Sequence, residues 1–348
     1  MTKSSLFFLL LVSIVNNSLA QNTIETERTA QQEVIAWISE ANVPGIAISV
    51  IEDGLVVNTI VEGIDVNGND ISSSTVFDVA SLTKSITTLA VIKLIEKENL
   101  DLNEPLYHQW IDPDVQGDMR HQKLTFINTL SHQSGFKNWR YMYDDKKLAF
   151  EFEPGTQFQY SGEGFEYVRK ALENKYNDSF ENQVQNLVFE PLGMKNSSLV
   201  WSPKMEELNF AGAHDGAGNA YDYVKSDEVN AADNLLTTLE DFTELTLALL
   251  QSTYLDQSLF NKMIEPQVEV RSGISFGLGW IVFEDLSNGD YALFNSGSDQ
   301  GVNSLVVMLP ESKRGLVVLT NGDNGRDLCM RAIKHFLGEP GLEMLSRF

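Results

Sequence analysis

Ser81 and Lys84 stand three positions apart in VFDVASLTKSITTLAVIKLIEKENL, the stretch from Val76 to Leu100. Residues three apart on a helix share a face, so Ser81 Oγ and Lys84 Nζ are expected to meet at a first turn. A serine hydroxyl is a poor nucleophile until a neighbouring base takes its proton. A helix N-terminus also favours a developing anion through its free N–H groups and partial positive charge. The bland alternative is a helix cap followed by a solvated lysine. Against it, Lys84 sits inside an apolar run (Leu82, Ile86, Leu89, Val91, Ile92, Leu94, Ile95) dense enough for a helix buried on most sides. A charge placed there needs a reason.

The 348 residues suffice for one large domain or two closely joined ones, and 43% hydrophobic with 21% charged residues is ordinary globular composition. Acidic residues outnumber basic ones 49 to 25, for a formal net charge of −24. That field repels nucleic acid and anionic lipid, which excludes both as partners. Met1 to Ala20 has the pattern of a secretory signal: Lys3 at its start, an apolar core from Leu6 to Val15, and small residues at Ser18-Leu19-Ala20. The mature chain is expected to begin at Gln21 and to be secreted or periplasmic. Gln21, not a cysteine, stands directly after the cleavage position, and Cys329 is the sole cysteine, so neither a lipid anchor nor an intrachain disulfide is expected. No later segment is long and apolar enough to span a bilayer.

The elements that must position the pair follow from periodicity. Glu25 to Ala41 reads as an amphipathic helix. Gly45 to Ile51 and Leu55 to Val61 are β-rich runs joined by a hairpin signal at Glu52-Asp53-Gly54. From Leu100 to about Pro266 the texture is helical and broken by loops, with a helix predicted over Asn234 to Gln251, capped near Thr237 or Thr238. Strand pattern returns in Leu278 to Phe283, Tyr291 to Asn295, Val302 to Met308 and Gly315 to Thr320, before a closing helix over Asp327 to Phe336. The fold class is therefore α+β: an antiparallel sheet flanked by terminal helices, with an inserted all-helical domain. The α/β part is expected over about residues 21–80 and 267–348, and the helical part over about 81–266.

The order of these pieces resembles the serine β-lactamase and penicillin-binding protein superfamily, and within it the class C β-lactamase-like group. The resemblance runs from about Val43 to Leu337. Ser81-Leu82-Thr83-Lys84 fits the first motif of that group. Tyr160-Ser161-Gly162 lies where it has Tyr-x-Asn, and Asn295-Ser296-Gly297 where it has Lys/His-Thr/Ser-Gly on a sheet-edge strand. LSHQSGF, FEPGTQFQYS, PLGM, FGLGW and LVVLTN follow in the expected order.

The resemblance implies a β-lactamase/transpeptidase-like fold and assigns roles. Ser81 would be the acylated nucleophile, Lys84 would help deprotonate it, and Tyr160 Oη would be the general base or its relay. The backbone N–H groups of Ser81 and Ser298 would form the oxyanion hole. Two departures bear on substrate: Gly162 removes the asparagine amide of the second motif, and Asn295 replaces the cation of the third, losing a charge-assisted contact to a substrate carboxylate. The expectation is a secreted serine hydrolase forming an acyl-enzyme on a small-molecule or peptide ester or amide, without cofactor or metal. The alternatives are a D-alanyl-D-alanine carboxypeptidase or D-aminopeptidase, a β-lactamase, and a non-catalytic binder of peptidoglycan fragments. His132 reads as structural. Glu163 and Asp299 either line the cleft or serve local structure, Trp139, Arg140 and Tyr141 are candidates for a substrate wall, and Asp112 and Asp114 look like turn chemistry.

Overall fold

The computed structural model describes residues 29–98 and 100–348; the leader pattern of Met1 to Ala20 and the start of the first predicted helix lie outside them. Among the described residues there are ten strands: β1 Gly45–Glu52, β2 Leu55–Gly63, β3 Val76–Asp78, β4 Leu236–Thr238, β5 Val268–Arg271, β6 Ile274–Phe276, β7 Ile281–Phe283, β8 Ala292–Asp299, β9 Val302–Leu309 and β10 Arg314–Thr320. Eight form one antiparallel sheet in the order β2-β1-β10-β9-β8-β7-β6-β5, so the N-terminal hairpin joins the C-terminal strands through the β1–β10 pair.

The helices are α1 (29–41), α2 Thr83–Glu98, α3 Phe126–Leu130, α4 Gly162–Tyr176, α5 Phe180–Val184, α6 Glu190–Leu192, α7 Pro203–Glu206, α8 Leu239–Leu250, α9 Gln257–Ile264, α10 Gly325–Leu337 and α11 Glu339–Arg347. Alternation along the central strands sends side chains to opposite faces. Ile46, Ile48 and Val50 of β1 join Leu316 and Val318 of β10 in a core with Val34, Leu328, Ile333 and Met344 of the terminal helices. Ala47, Val317, Leu319, Val306 and Met308 face the other way, into a larger core with α2, α4 and α8. Both faces are covered, which is why these strands read as continuous apolar runs.

Helix α2 runs through that second core, with every residue from Thr83 to Ile92 buried and Leu94 following. At about 1.5–3 kcal/mol per fully buried Leu or Ile side chain, this helix is held by packing rather than by propensity.

The structure departs from the sequence expectation in several places. Leu278 to Trp280 is the turn of the β6–β7 hairpin, where Gly277 N–H bonds Trp280 O at 2.9 Å, not the start of a strand. Leu236–Thr238 pairs with Val76–Asp78 as a separate two-stranded ladder, so the region between the sheet halves is not purely helical, and α8 begins at Leu239 with Thr238 as its cap. Strands β3, β5 and β6 and helix α11 were not expected. Burial on both faces erased the period-2 signal in the first case; short length hid the others.

Candidate active site

Asp78 ends β3, and its Oδ1 accepts the Ala80 N–H at 2.9 Å. Ala80 then takes a left-handed φ of 47°, which few non-glycine residues adopt, and opens a single 3₁₀ turn, Ala80–Leu82, that carries Ser81. Such local strain persists only where the surroundings fix it. Here Thr83 Oγ1 donates to Ala80 O at 2.6 Å and Ser85 Oγ to Leu82 O at 2.6 Å. Ser81 thus lies in the 3₁₀ turn that leads directly into α2 rather than within the α-helix itself.

Lys84 is 2% exposed. Its Nζ donates to Ser81 Oγ at 2.9 Å and to Ala232 O at 2.9 Å, and lies 4.7 Å from the centre of the Tyr160 ring. Among the described residues no carboxylate oxygen comes within ion-pair distance of this nitrogen. The solvated-lysine alternative is thereby removed. The expected Ser81–Lys84 contact is present, while Tyr160 meets Lys84 through the face of its ring. The Tyr160 hydroxyl makes no hydrogen bond with Ser81 or Lys84.

Tyr160 is held from beneath by His132, whose ring lies 4.3 Å away at 30°. His132 itself has a left-handed φ of 58°, and its Nδ1 accepts the Ser161 N–H at 3.1 Å. Burial first, then the nearby Lys84 charge, pushes its pKa well below the ordinary histidine value, so the ring is neutral. Its structural role is as the sequence suggested, though the backbone it binds is remote in sequence.

Ser161 caps α4, accepting Gly164 N–H at 3.1 Å. Gly162 N–H donates to Asn138 Oδ1 at 2.8 Å. A Cβ at Gly162 would stand 2.6 Å from the Trp139 ring, so the indole fills the space beside the second motif. Glu163 turns away from the cleft: it is buried and bound by Arg140, with Nη2 to Oε2 at 2.7 Å, and Arg140 also reaches Asp112 at 3.0 Å. Trp139 and Arg140 therefore build structure, and Asn138, not singled out in the sequence, lines the cleft beside Ser81.

The third motif closes the other side. Strand β7 pairs with β8 only from Ala292 to Phe294, so Asn295 to Asp299 keep a free edge. A Cβ at Gly297 would lie 1.9 Å from Val79 O and 2.9 Å from Ser81 N, so only glycine lets this edge approach the nucleophile's backbone. Ser296 and Ser298 are exposed along the cleft wall. Asn295 is buried and spends an amide N–H on Gly279 O at 2.9 Å, bracing the β6–β7 turn. Phe276, Ile281 and Phe294 complete a cleft of about 260 Å³ with an apolar side.

One carboxylate at the nucleophile was missed in the sequence. Ser81 Oγ donates to Asp233 Oδ1 at 3.4 Å across a gap of 152 residues. The segment that carries Asp233 is strapped to α2 by hydroxyls: Thr87 Oγ1 to Ala231 O at 2.6 Å, and Leu235 N–H to Thr83 Oγ1 at 2.9 Å. Burial raises the Asp233 pKa to about 7, against the pull of Lys84 and with the push of Asp299 and Asp78. Asp78 is likewise raised, to about 6, mainly by burial. Asp299 is exposed at the end of β8, beside Asp78 and Tyr223 in an adjoining hollow. No spacing rule links Ser81 to Asp233; the only sequence signal is a charge inside the small, apolar run AADNLL.

An antiparallel sheet, a mainly helical region between its two halves, and the Ser81–Lys84 pair where they meet make up this fold and its cleft. The chain belongs to the beta-lactamase family, whose model matches residues 22–338. It is similar to Protein flp of Staphylococcus aureus (strain COL), 22% identical over 312 residues, covering 82% of this chain and 61% of that protein. It is also similar to Penicillin-binding protein 4* of Bacillus subtilis (strain 168), 23% identical over 316 residues, covering 78% and 67% of the two chains. The chain thus spans about three fifths of the length of the Flp proteins it matches. Among solved structures, the octameric penicillin-binding protein homologue from Pyrococcus abyssi superposes with a TM-score of 0.76 at 23% identity, over 90% of this chain and 78% of that one. D-alanine carboxypeptidase AmpC from Burkholderia cenocepacia superposes with a TM-score of 0.77 at 17% identity, over 90% and 99%. These likenesses show the fold, and it is the one the motifs implied.

Proposed function

We propose that this protein is an exported serine hydrolase that forms an acyl-enzyme at Ser81 on an ester or amide. The observation that carries the reading is Lys84: an ammonium-bearing side chain, 2% exposed, without a carboxylate partner, held 2.9 Å from a serine hydroxyl. Burying such a group is costly unless its charge is used. Here it is aimed at the oxygen on which negative charge develops. The free edge of β8 beside Ser81 supports an oxyanion site built from the Ser81 and Ser298 N–H groups. The loss of one such donor costs about 3–4 kcal/mol of transition-state stabilisation. Export rests on the leader pattern of Met1 to Ala20.

A wall-peptide carboxypeptidase or D-aminopeptidase is the second reading, favoured by the likeness to a D-alanine carboxypeptidase structure and to penicillin-binding proteins. Efficient β-lactam hydrolysis ranks below both. Asn295 carries no charge and is engaged with Gly279 O, so among the described residues lining the cleft Lys84 is the one basic side chain carrying charge for a substrate carboxylate. The test is labelling with a fluorophosphonate and, separately, a fluorescent penicillin, with Ser81→Ala as control. Fluorophosphonate labelling confined to Ser81 is expected. Persistent penicillin labelling selects the peptidase reading, rapid nitrocefin turnover overturns the ranking, and absence of any Ser81-dependent labelling leaves a binder on this scaffold.

A further inference from the structure

Resting on that reading, we propose that Asp233 is the catalytic group that takes the Ser81 proton. Lys84 Nζ donates to Ser81 Oγ and to the carbonyl of Ala232, and its third side faces the Tyr160 ring, a setting that suits an ammonium. An oxygen that accepts from Lys84 must send its own proton elsewhere. The acceptor in reach is Asp233 Oδ1 at 3.4 Å. The Tyr160 hydroxyl touches neither Ser81 nor Lys84. The Ser81–Asp233 separation exceeds the about 2.8 Å usual for O–H···O bonds, and such contacts tighten when substrate is bound.

The steps balance. The Ser81 Oγ proton passes to the Asp233 carboxylate as the Oγ–C bond forms, and the carbonyl electron pair moves to its oxygen. When that pair returns, the bond to the leaving oxygen or nitrogen breaks, and Asp233 returns the proton to it. In deacylation a water gives its proton to Asp233 and adds to the acyl carbon. Ser81 then leaves and recovers the proton. Lys84 stays charged throughout and stabilises the alkoxide.

The groups facing Asp233 are Lys84 from α2, Asp78 from β3, Asp299 from the end of β8 and Tyr223 from the loop before Ser226. Burial and the two carboxylates raise its pKa to about 7, which suits a base working near neutrality.

The experiment follows the rate of Ser81 modification by a fluorophosphonate from about pH 5 to about pH 9, in wild type, Asp233→Asn, Asp233→Glu and Tyr160→Phe, with melting curves for each. Wild type is expected to rise through one ionisation near pH 7 and then level. Asp233→Asn should lose about 100-fold or more and lose that limb. Asp233→Glu should restore a limb at a displaced pH, and it carries the test if the asparagine variant does not fold. Tyr160→Phe, which keeps the ring under Lys84, should keep the limb. A limb that survives in Asp233→Asn and vanishes in Tyr160→Phe overturns the assignment while leaving the hydrolase reading intact. No Ser81 modification in wild type at any pH removes both.

Discussion

Lys84 shows at residue scale how a side chain can be costly to the fold and still required. Its charge is out of water, bound to one carbonyl, one hydroxyl and one ring face. Those contacts, with the Phe165 ring 5.8 Å away as a second aromatic face, recover part of the desolvation cost, since hydrogen bonds to charged groups contribute about 1.5–3 kcal/mol each and aromatic faces about 0.5–2 kcal/mol each. Replacing a buried charge by an apolar side chain of similar volume is often neutral or stabilising. Lys84→Met is therefore expected to lower turnover by about 100-fold or more while the melting temperature holds or rises. Activity on a neutral ester, measured beside a thermal melt, checks both. A variant that melts well below wild type would make Lys84 a structural residue.

Elements place these side chains, and the placement was legible to different depths. The Ser81–Lys84 contact follows from helix geometry, so three-residue spacing revealed it. Gly297 was legible as part of a motif, but its reason, the close approach of β8 to Val79 O and Ser81 N, appears only in three dimensions. Asp233 was illegible because its position depends on hydroxyl straps between α2 and a loop some 150 residues later. The second motif is a case where one departure implies another. Gly162 lacks the expected amide because Trp139 occupies its Cβ space at 2.6–2.9 Å, and Asn138 braces the same turn. Gly162→Asn should cost about 1–3 kcal/mol by overpacking. Trp139→Ala opens that space, so the double variant should be more stable than the sum of the two losses predicts. A double-mutant cycle on melting free energies measures the coupling, and strict additivity would show that the indole is not what excludes a side chain there.

Across the whole molecule, the same carboxylates set activity and stability in opposite directions. Asp233 and Asp78 have folded pKa values raised to about 7 and about 6 from an ordinary 3.8. A raised carboxylate contributes its stability in full below the unfolded value and loses it as pH climbs through the folded value. Both losses fall between about pH 4 and about pH 7. The formal charge of −24 at pH 7 adds self-repulsion over the same climb. Two effects oppose them. Neutral, buried His132 costs stability as pH falls below the ordinary histidine value. The lowered carboxylates Asp118, Asp215, Glu206 and Glu343 lose their contribution only at the acid end. Melting temperature is thus expected to peak on the acid side of neutral, near about pH 5–6, and to fall toward pH 8 by an amount on the order of a few kcal/mol in unfolding free energy. Asp233→Asn should flatten that alkaline decline, because the amide has no proton to lose. A wild-type melting curve that rises steadily to pH 8, or an asparagine variant with the same decline, would mean that the Asp233 carboxylate is not held against its charge. If the decline and its loss are both seen, the protonation state that stabilises the fold is the one in which Ser81 has no base.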